Sequence, residues 1–293
     1  MSRAALRAVE RLVALDAEHG ATAAVPAARA AVREFPELTA APGSLSARRR
    51  DRDRLAAVAE LCEVVGWILF DAGHYAPAGA ANRRALHLAH LAGDHWTARL
   101  VHLNHAMLQT HTGRARAALD TVSRVPGSRP LPARVHSLTL IRRAHATALL
   151  GARREPLDLI DRARSRFLDG ISRHDPHWAW WIDETELTGH QGWVLARLGD
   201  WERAVPLLHR AATAPGPSYR HLFTAQLLAA LAGAGAWTDA EQLIADLAPR
   251  AAGIGSARTT ETLGRTAAAL FRTVGVPPRL RDAAVHLRAA LPA

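Results

Sequence analysis

Lysine is absent from this chain of 293 residues, and cysteine occurs only once, as Cys62. A single thiol excludes an internal disulfide and any zinc site built on paired cysteines. Cys62 stands beside Leu61 in an apolar helical pattern, which predicts a buried thiol in a reducing cytoplasm. Because lysine is missing, all 37 basic residues are arginine, and the formal net charge is +10.

The excess of arginine has two interpretations. It attracts phosphate groups or an acidic partner, or it reflects a genome rich in G and C. The arginines are spread over many predicted helices rather than gathered in one stripe, so direct nucleic-acid binding is not expected. The run from Arg48 to Arg54 mixes charges of both signs, which is typical of the start of a solvated helix, with a nucleic-acid contact as the alternative.

Several other patterns are missing as well. No run of about 18 apolar residues occurs, so no membrane span and no membrane partner are predicted. The charged, amphipathic beginning has no secretion signal, and the chain is expected in the cytoplasm. No dinucleotide or phosphate loop and no nucleophile elbow are present, which excludes the enzymes that depend on them. Runs typical of strands are nearly absent, which predicts an all-α fold.

Glycine marks a repeat in this chain. Five short segments share a pattern and begin at Gly73, Gly113, Gly151, Gly199 and Gly235. The spacings between them are 40, 38, 48 and 36 residues, a period typical of stacked helix-turn-helix units. A glycine at the end of a helix adopts the left-handed turn without a steric penalty. The pattern therefore predicts pairs of helices that stack into one elongated array.

The fullest copy resembles a tetratricopeptide repeat. The matching positions hold a small residue, a Gly-Asp-aromatic turn and an Ala-Leu-Ala series: Gly192, Gly199, Asp200, Trp201, Ala204, Leu208 and Ala211. Two helices cross closely only where their side chains are small, which explains the glycine and the alanines. The resemblance implies an all-α fold in which antiparallel helix pairs form a right-handed superhelical array. Such an array is called a tetratricopeptide-like α-solenoid.

Three segments are predicted along the chain. Residues 1–54 form an N-terminal helical hairpin and linker, with Pro26 in the first turn of the second helix and a linker over 36–46. Residues 55–250 form the tetratricopeptide-like array. Residues 251–293 form capping helices, which a solenoid needs at its end.

Longer stretches resemble the helical-repeat regions of actinobacterial XRE-type transcriptional regulators. The resemblance rests on the segments Leu12–Asp16, Ala59–Trp67, Phe70–Gly73, Ala85–Ala89, Leu91–Asp94 and Trp178–Glu186. It implies a cytoplasmic sensor or partner domain. Those regulators begin with a helix-turn-helix domain that is not recognised here, so direct operator binding is not expected of this chain.

The first helix of each pair lines the concave face in tetratricopeptide-like stacking. A residue near the middle of each first helix sets the register: Gly66, Ala106, Ala144, Gly192 and Leu228. Residues six before, two before and one after it face the groove, following helical spacing. The candidate ligand-binding residues on these positions are Trp67, Asn104, Met107, Arg142, His145, Glu186, His190, Trp193 and Gln226.

The middle of the predicted groove is apolar and aromatic, which suits a small molecule or a short peptide. Asn104 and Gln226 offer amide hydrogen bonds to a peptide backbone or a carboxylate. The alternative is that Trp67 and Trp193 only pack between repeats.

His145, Glu186 and His190 form a second kind of candidate site. Two imidazoles and a carboxylate are able to ligate a divalent metal or to act as general base and acid. The chain has 16 histidines, so chance pairings are many. A hydrogen-bond network between repeats is the favoured interpretation, and no metal or other cofactor is expected.

Two functions follow from these observations. The favoured one is a stand-alone regulatory module that binds a small molecule, a peptide or a partner protein, such as a separate DNA-binding regulator, in its groove. The alternative is an enzyme of a specialised metabolic pathway that uses His145, Glu186 and His190. A bound metal, or loss of activity in His190→Ala, would favour the enzyme.

Overall fold

The computed structural model describes residues 2–40, 51–127 and 130–292, and most of these residues are helical. They form fourteen α-helices, with short 3-10 segments and turns between them and no β-strand. The predicted all-α class is therefore confirmed. Part of the predicted linker, residues 41–46, and part of the charge run, residues 48–50, lie outside the described residues.

The fourteen helices have the following bounds: α1 (Ser2–His19), α2 (Ala21–Glu34), α3 (Arg52–Asp71), α4 (Tyr75–Ala92), α5 (His95–His111), α6 (Ala115–Val122), α7 (Ala133–Leu149), α8 (Arg154–Phe167), α9 (Glu184–Arg197), α10 (Trp201–Thr213), α11 (His221–Ala234), α12 (Trp237–Leu247), α13 (Ala257–Arg272) and α14 (Pro278–Ala290). From α3 onward, each odd-numbered helix packs against the even-numbered helix that follows it after a short turn or loop.

The turn glycines have the conformation that the repeat pattern predicts. Gly73, Gly113, Gly151, Gly199 and Gly235 all have φ between 71° and 85°. A residue with a Cβ is strained in this left-handed region, so glycine is required where the chain reverses between paired helices.

Small residues stand where paired helices cross. A Cβ on Gly192 would lie 2.8 Å from Leu208 Cγ of α10, and a Cβ on Gly66 would lie 2.7 Å from Asn82 Oδ1 of α4. Both distances are far below van der Waals contact. The two glycines therefore allow α9 and α3 to approach their partners closely.

The prediction for the N-terminal hairpin is wrong in one respect. Helix α2 begins at Ala21, three residues earlier than predicted, so Pro26 lies inside the helix rather than in its first turn. The chain reverses at Gly20, where φ is 83°, and α2 starts at once.

The first helices of the pairs form an inner row. Helices α3, α5, α7, α9, α11 and α13 contact one another in that order, while the second helices lie outside them. Helix α1 packs on α3 and also touches the 3-10 segment Ser218–Arg220 that precedes α11. It therefore lies across the inner side of the row.

The two ends of the row meet. Arg258 of α13 forms an ion pair with Asp71 at the end of α3. Nearby, the backbone N–H of Thr22 donates to the carbonyl of Gly255 at 2.9 Å, and Tyr75 OH donates to Glu261 Oε1 at 2.6 Å. The segments assigned to the two ends of the chain thus contact each other and the first repeat.

Within the described segments, no helix has both the length and the continuous apolar sequence that a bilayer crossing requires.

Candidate functional site

The inner row and α1 border a partly open cavity of about 520 Å³. Its wall contains at least one residue from each of the six inner helices, from α1 and from the segments His177–Trp181 and Ser218–Arg220. Apolar and aromatic side chains dominate this wall, among them Val64, Trp67, Trp178, Tyr219 and Phe223. We call this space the central cavity.

Six of the nine candidate ligand-binding residues line the central cavity: Trp67, Asn104, Met107, Arg142, Glu186 and His190. The other three, His145, Trp193 and Gln226, are not part of its wall. The His145 ring lies behind His190, with its centroid 5.1 Å from that of His190 and 4.6 Å from that of Trp193. Gln226 is buried within the packing of α11. In α7 and α9, the residue that follows the small register residue is His145 and Trp193, respectively. Each of these side chains faces its neighbours rather than the cavity.

Sequence reasoning missed several residues of the wall. Arg258 had a usable signal, because it stands six residues before Gly264, in the register that places Glu60 and Glu186 on the wall. Applying the same register to the pair formed by α13 and α14 identifies Arg258 as a wall residue. The amphipathic pattern of α1 predicts that Val9 and Val13, one turn apart, face inward, and both line the cavity. Nothing in that pattern marks the exposed Ala14.

The segment His177–Trp181 accounts for the long interval in the repeat. It folds against α5 and α7, where Trp178 is buried in an apolar cluster with Leu138. His177 Nε2 lies 2.9 Å from Glu60 Oε1 of α3, and this hydrogen bond raises the pKa of His177. The segment therefore covers one side of the central cavity.

Arg258 and Asp71 form the buried ion pair at the end of the cavity. Arg258 Nε donates to Asp71 Oδ1 at 2.5 Å, and Ser256 Oγ donates to the same oxygen at 3.0 Å. The guanidinium also lies over Trp67 and Phe70, 5.0 and 4.6 Å from the ring centroids. Both charges are thus compensated, and the cation holds the aromatic wall in place.

Two carboxyl groups of the cavity wall have neutral partners. Trp67 Nε1 donates to Asp16 Oδ2 at 2.8 Å, and Asn104 Nδ2 donates to Glu63 Oε1 at 2.6 Å. Burial raises the pKa of Asp16 to about 6 and that of Glu63 to about 7. Removing a carboxylate from water disfavours its charged form, so both groups hold their protons unusually well.

Glu186 is held by a cation from the loop before α11. Arg220 Nε donates to Glu186 Oε1 at 3.2 Å, and its Nη2 donates to Asp183 Oδ2 at 2.5 Å. Burial raises the pKa of Glu186 to about 7, and the charge of Arg220 opposes this shift.

His145 and His190 come together as the sequence analysis expected. His145 Nε2 lies 3.0 Å from His190 Nδ1, and His190 Nε2 lies 3.6 Å from Glu186 Oε2. Burial lowers the pKa of both imidazoles well below the ordinary value. Both rings are therefore neutral at physiological pH, and only His190 reaches the cavity wall.

Arg142 is the single residue that α7 contributes to the wall. Its side chain is buried, with 4% of its surface exposed. Within the described residues, its one hydrogen-bond contact joins Nη1 to His190 Nε2 at 3.4 Å, and Nε has no partner. Burial lowers the pKa of Arg142 to about 10, which still leaves it charged at neutral pH.

The described residues contain no group of three or more His, Cys, Asp or Glu side chains arranged to hold a metal ion. In the set His145, Glu186 and His190, two of the imidazole nitrogens face each other directly. The imidazoles form a hydrogen-bonded pair in which His145 Nδ1 has no partner among the described residues, and the open space beside it is mainly apolar. Such a site is suited to binding a molecule.

A second depression of about 850 Å³ lies on the outer side, between α6, α7 and α8. Its wall includes Arg143, Arg162 and Arg166, and it contains none of the candidate site residues.

Comparison with known proteins shows no family for this chain: no protein-family model matches it, and no curated protein matches its sequence.

Proposed function

We propose that this chain is a ligand-binding repeat protein that takes up a small, largely apolar molecule in its central cavity. One observation carries the proposal: all six inner helices and α1 contribute to the wall of one cavity of about 520 Å³. This volume is in the range of small-molecule sites. A core that served packing alone would be filled as densely as an organic crystal.

A small molecule is favoured over an extended peptide because α1 already occupies part of the inner side. Val9, Val13 and Ala14 of α1 line the cavity. The helix is also held in place, since Ser218 Oγ donates to the Asp16 carbonyl at 2.7 Å. A peptide lying along the row would have to displace this helix, whereas a compact molecule fits beside it.

The tetratricopeptide-like, right-handed superhelical arrangement is part of the proposal. The paired helices, the left-handed turn glycines and the small residues at the crossings support it. The resemblance to XRE-type regulators adds a regulatory role, in which occupancy of the cavity alters the surface offered to a separate DNA-binding protein.

The enzyme alternative has less support. It requires His145 and His190 to reach a substrate together, but His145 is 5% exposed and stands outside the cavity wall. A general acid or base works best with a pKa near the operating pH. Both imidazoles have a pKa well below that range. Burial raises the pKa of Glu186 to about 7, but this carboxylate is already paired with Arg220.

N-phenyl-1-naphthylamine, a neutral dye that becomes fluorescent in apolar surroundings, tests the proposal. We expect saturable binding of one dye molecule per chain. Ala14 is exposed on α1 and lines the cavity, so Ala14→Trp fills open space and should abolish binding. Arg11 is exposed on the same helix and does not line the cavity, so Arg11→Trp should bind as the wild type does. Absence of binding, or equal affinities in the two variants, would refute the proposal.

A further inference from the structure

We infer that the ligand of the central cavity is a monocarboxylate whose anionic group pairs with Arg142. This inference rests on the proposed function and names the chemical class of the molecule that the cavity takes.

A buried guanidinium without a counter-ion is an unusual and unfavourable arrangement. Arg142 is 4% exposed, yet no carboxylate of the described residues lies within ion-pair distance of it. Taking a charge out of water costs several kcal/mol unless a partner compensates it. The neutral ring of His190, at 3.4 Å, supplies only a weak contact. An anion arriving through the cavity would compensate the charge.

The acidic side chains nearby are already engaged. Glu186 accepts from Arg220, Asp71 accepts from Arg258, and Glu63 accepts from Asn104. Arg258, the other arginine on the wall, has its partner in Asp71. Arg142 is therefore the one arginine of the wall that is open to a ligand.

The charge balance of the wall favours one negative charge on the ligand. Arg142 has no carboxylate in direct contact, and only the more distant charge of Glu186 favours its cationic form. One anion therefore matches it, whereas a dianion would meet the carboxyl groups of Asp16, Glu63 and Glu186 on the same wall. A planar guanidinium forms a pair of parallel hydrogen bonds with a carboxylate. The aromatic surfaces of Trp67 and Phe223 suit an apolar body on that carboxylate.

The test is displacement of N-phenyl-1-naphthylamine by three compounds with one aromatic body: 2-naphthoate, the neutral 2-naphthamide and the dianionic 2-naphthyl phosphate. We expect 2-naphthoate to displace the dye at concentrations at least about tenfold lower than the amide, a preference that corresponds to a charge-assisted pair. The preference should persist at about 0.5 M salt, because a buried pair is screened much less than a surface charge.

Variants at two adjacent arginines show whether Arg142 is responsible for the preference for naphthoate. Arg142→Gln should remove the preference for naphthoate over the amide while dye binding remains, and Arg142→Lys should keep part of it. Arg143→Gln removes the same charge one position along α7, at a half-exposed residue outside the central cavity, and should behave as the wild type does.

The outcomes separate the two proposals. If the dye does not bind to the wild type, the proposed function fails and this inference fails with it. If the dye binds but naphthoate and the amide compete equally, only the inference fails. A preference that survives in Arg142→Gln, or stronger competition by the phosphate than by naphthoate, overturns it as well. Should Arg142→Gln not fold, the wild-type comparison and Arg142→Lys decide the question.

Discussion

Asp71 and Arg258 stand 187 positions apart in the chain, and they form a buried ion pair that joins the first inner helix to the last. The pair has two consequences. It closes the row of inner helices around the central cavity, and it places a guanidinium against the aromatic ring of Trp67 on the cavity wall. The enclosure of the site therefore depends on a contact between the two ends of the repeat array.

Removing one partner of this pair should destabilise the fold strongly. Arg258→Met leaves Asp71 as an uncompensated buried charge, and we expect a loss of about 3 to 5 kcal/mol in the free energy of unfolding, measured by urea titration. The control is Arg203→Met, which breaks an exposed pair with Asp200 on the outer surface and should leave the unfolding midpoint unchanged. Equal effects of the two substitutions would show that the ends of the row are not held by the buried pair.

The close approach between Gly20 and Gly255 gives a second test of closure. A Cβ on Gly255 would lie 2.2 Å from the carbonyl oxygen of His19. Because backbone rather than a flexible side chain stands in the way, we expect Gly255→Ala to cost about 1 to 3 kcal/mol of unfolding free energy.

Gly253 provides the matched control for that substitution. It lies two residues earlier, with no atom within 4 Å of the position of an added Cβ. Gly253→Ala should leave the thermal unfolding temperature nearly unchanged. If Gly255→Ala also leaves the thermal unfolding temperature nearly unchanged, the two ends of the array do not meet in solution as the structure describes.

Replacing two helical glycines with alanine should change the stability of the protein in opposite directions. An alanine at position 264 of α13 meets only Leu291 at 3.8 Å, an ordinary contact, so the higher helix propensity of alanine should stabilise the protein by up to about 1 kcal/mol. At Gly192, the Cβ would overlap Leu208, and we expect Gly192→Ala to be destabilising despite the same gain in propensity. Chemical denaturation of both variants measures the difference, and stabilisation by Gly192→Ala would contradict the close crossing of α9 and α10.

Glu63 should make the protein less stable as the pH rises. Burial raises its pKa from the ordinary 4.5 to about 7, so the folded chain holds a proton that the unfolded chain has released. The stabilisation is present below pH 4.5 and is lost as the pH rises toward about 7. Glu63→Gln cannot titrate, and its stability relative to wild type should increase across this interval by about 1 to 3 kcal/mol.

The comparison between Glu63→Gln and wild type is made at each pH because other groups titrate in the same range. The lowered pKa values of His145 and His190 act in the opposite direction, since stability is lost when the pH falls below their ordinary 6.5. These contributions are present in both proteins and cancel in the difference. A difference that stays constant from pH 4.5 to 8 would show that Glu63 keeps an ordinary pKa in the folded chain.

The sequence predicts the local features of this fold well. The turn at Gly199 and the small residue at Gly192 are local requirements of two paired helices, and a repeated pattern reports them directly. The register placed Asn104 and Arg142 on the wall for the same reason, because helical spacing decides which residues share a face.

The remaining features depend on contacts between distant parts of the chain. The amphipathic sequence of α1 predicts that Val9 and Val13 face inward, but it does not show that they border a cavity, because the other walls come from distant helices. The positions of His145 and Trp193 depend on how neighbouring inner helices rotate against each other, which the spacing within one helix does not determine. The meeting of Asp71 with Arg258 depends on how the whole row curves, and no single repeat contains that information.

Hydrogen–deuterium exchange of the free and N-phenyl-1-naphthylamine-loaded protein tests the central claim most directly, because it locates the bound molecule. The claim is that the space enclosed by the inner helices and α1 is the ligand site. It predicts slower exchange on loading in peptides that contain Val13, Trp67, Asn104 and His190, with little change in the outer helices α6 and α8. Protection confined to α6, α7 and α8, around the outer depression, or no protection at all would contradict the account.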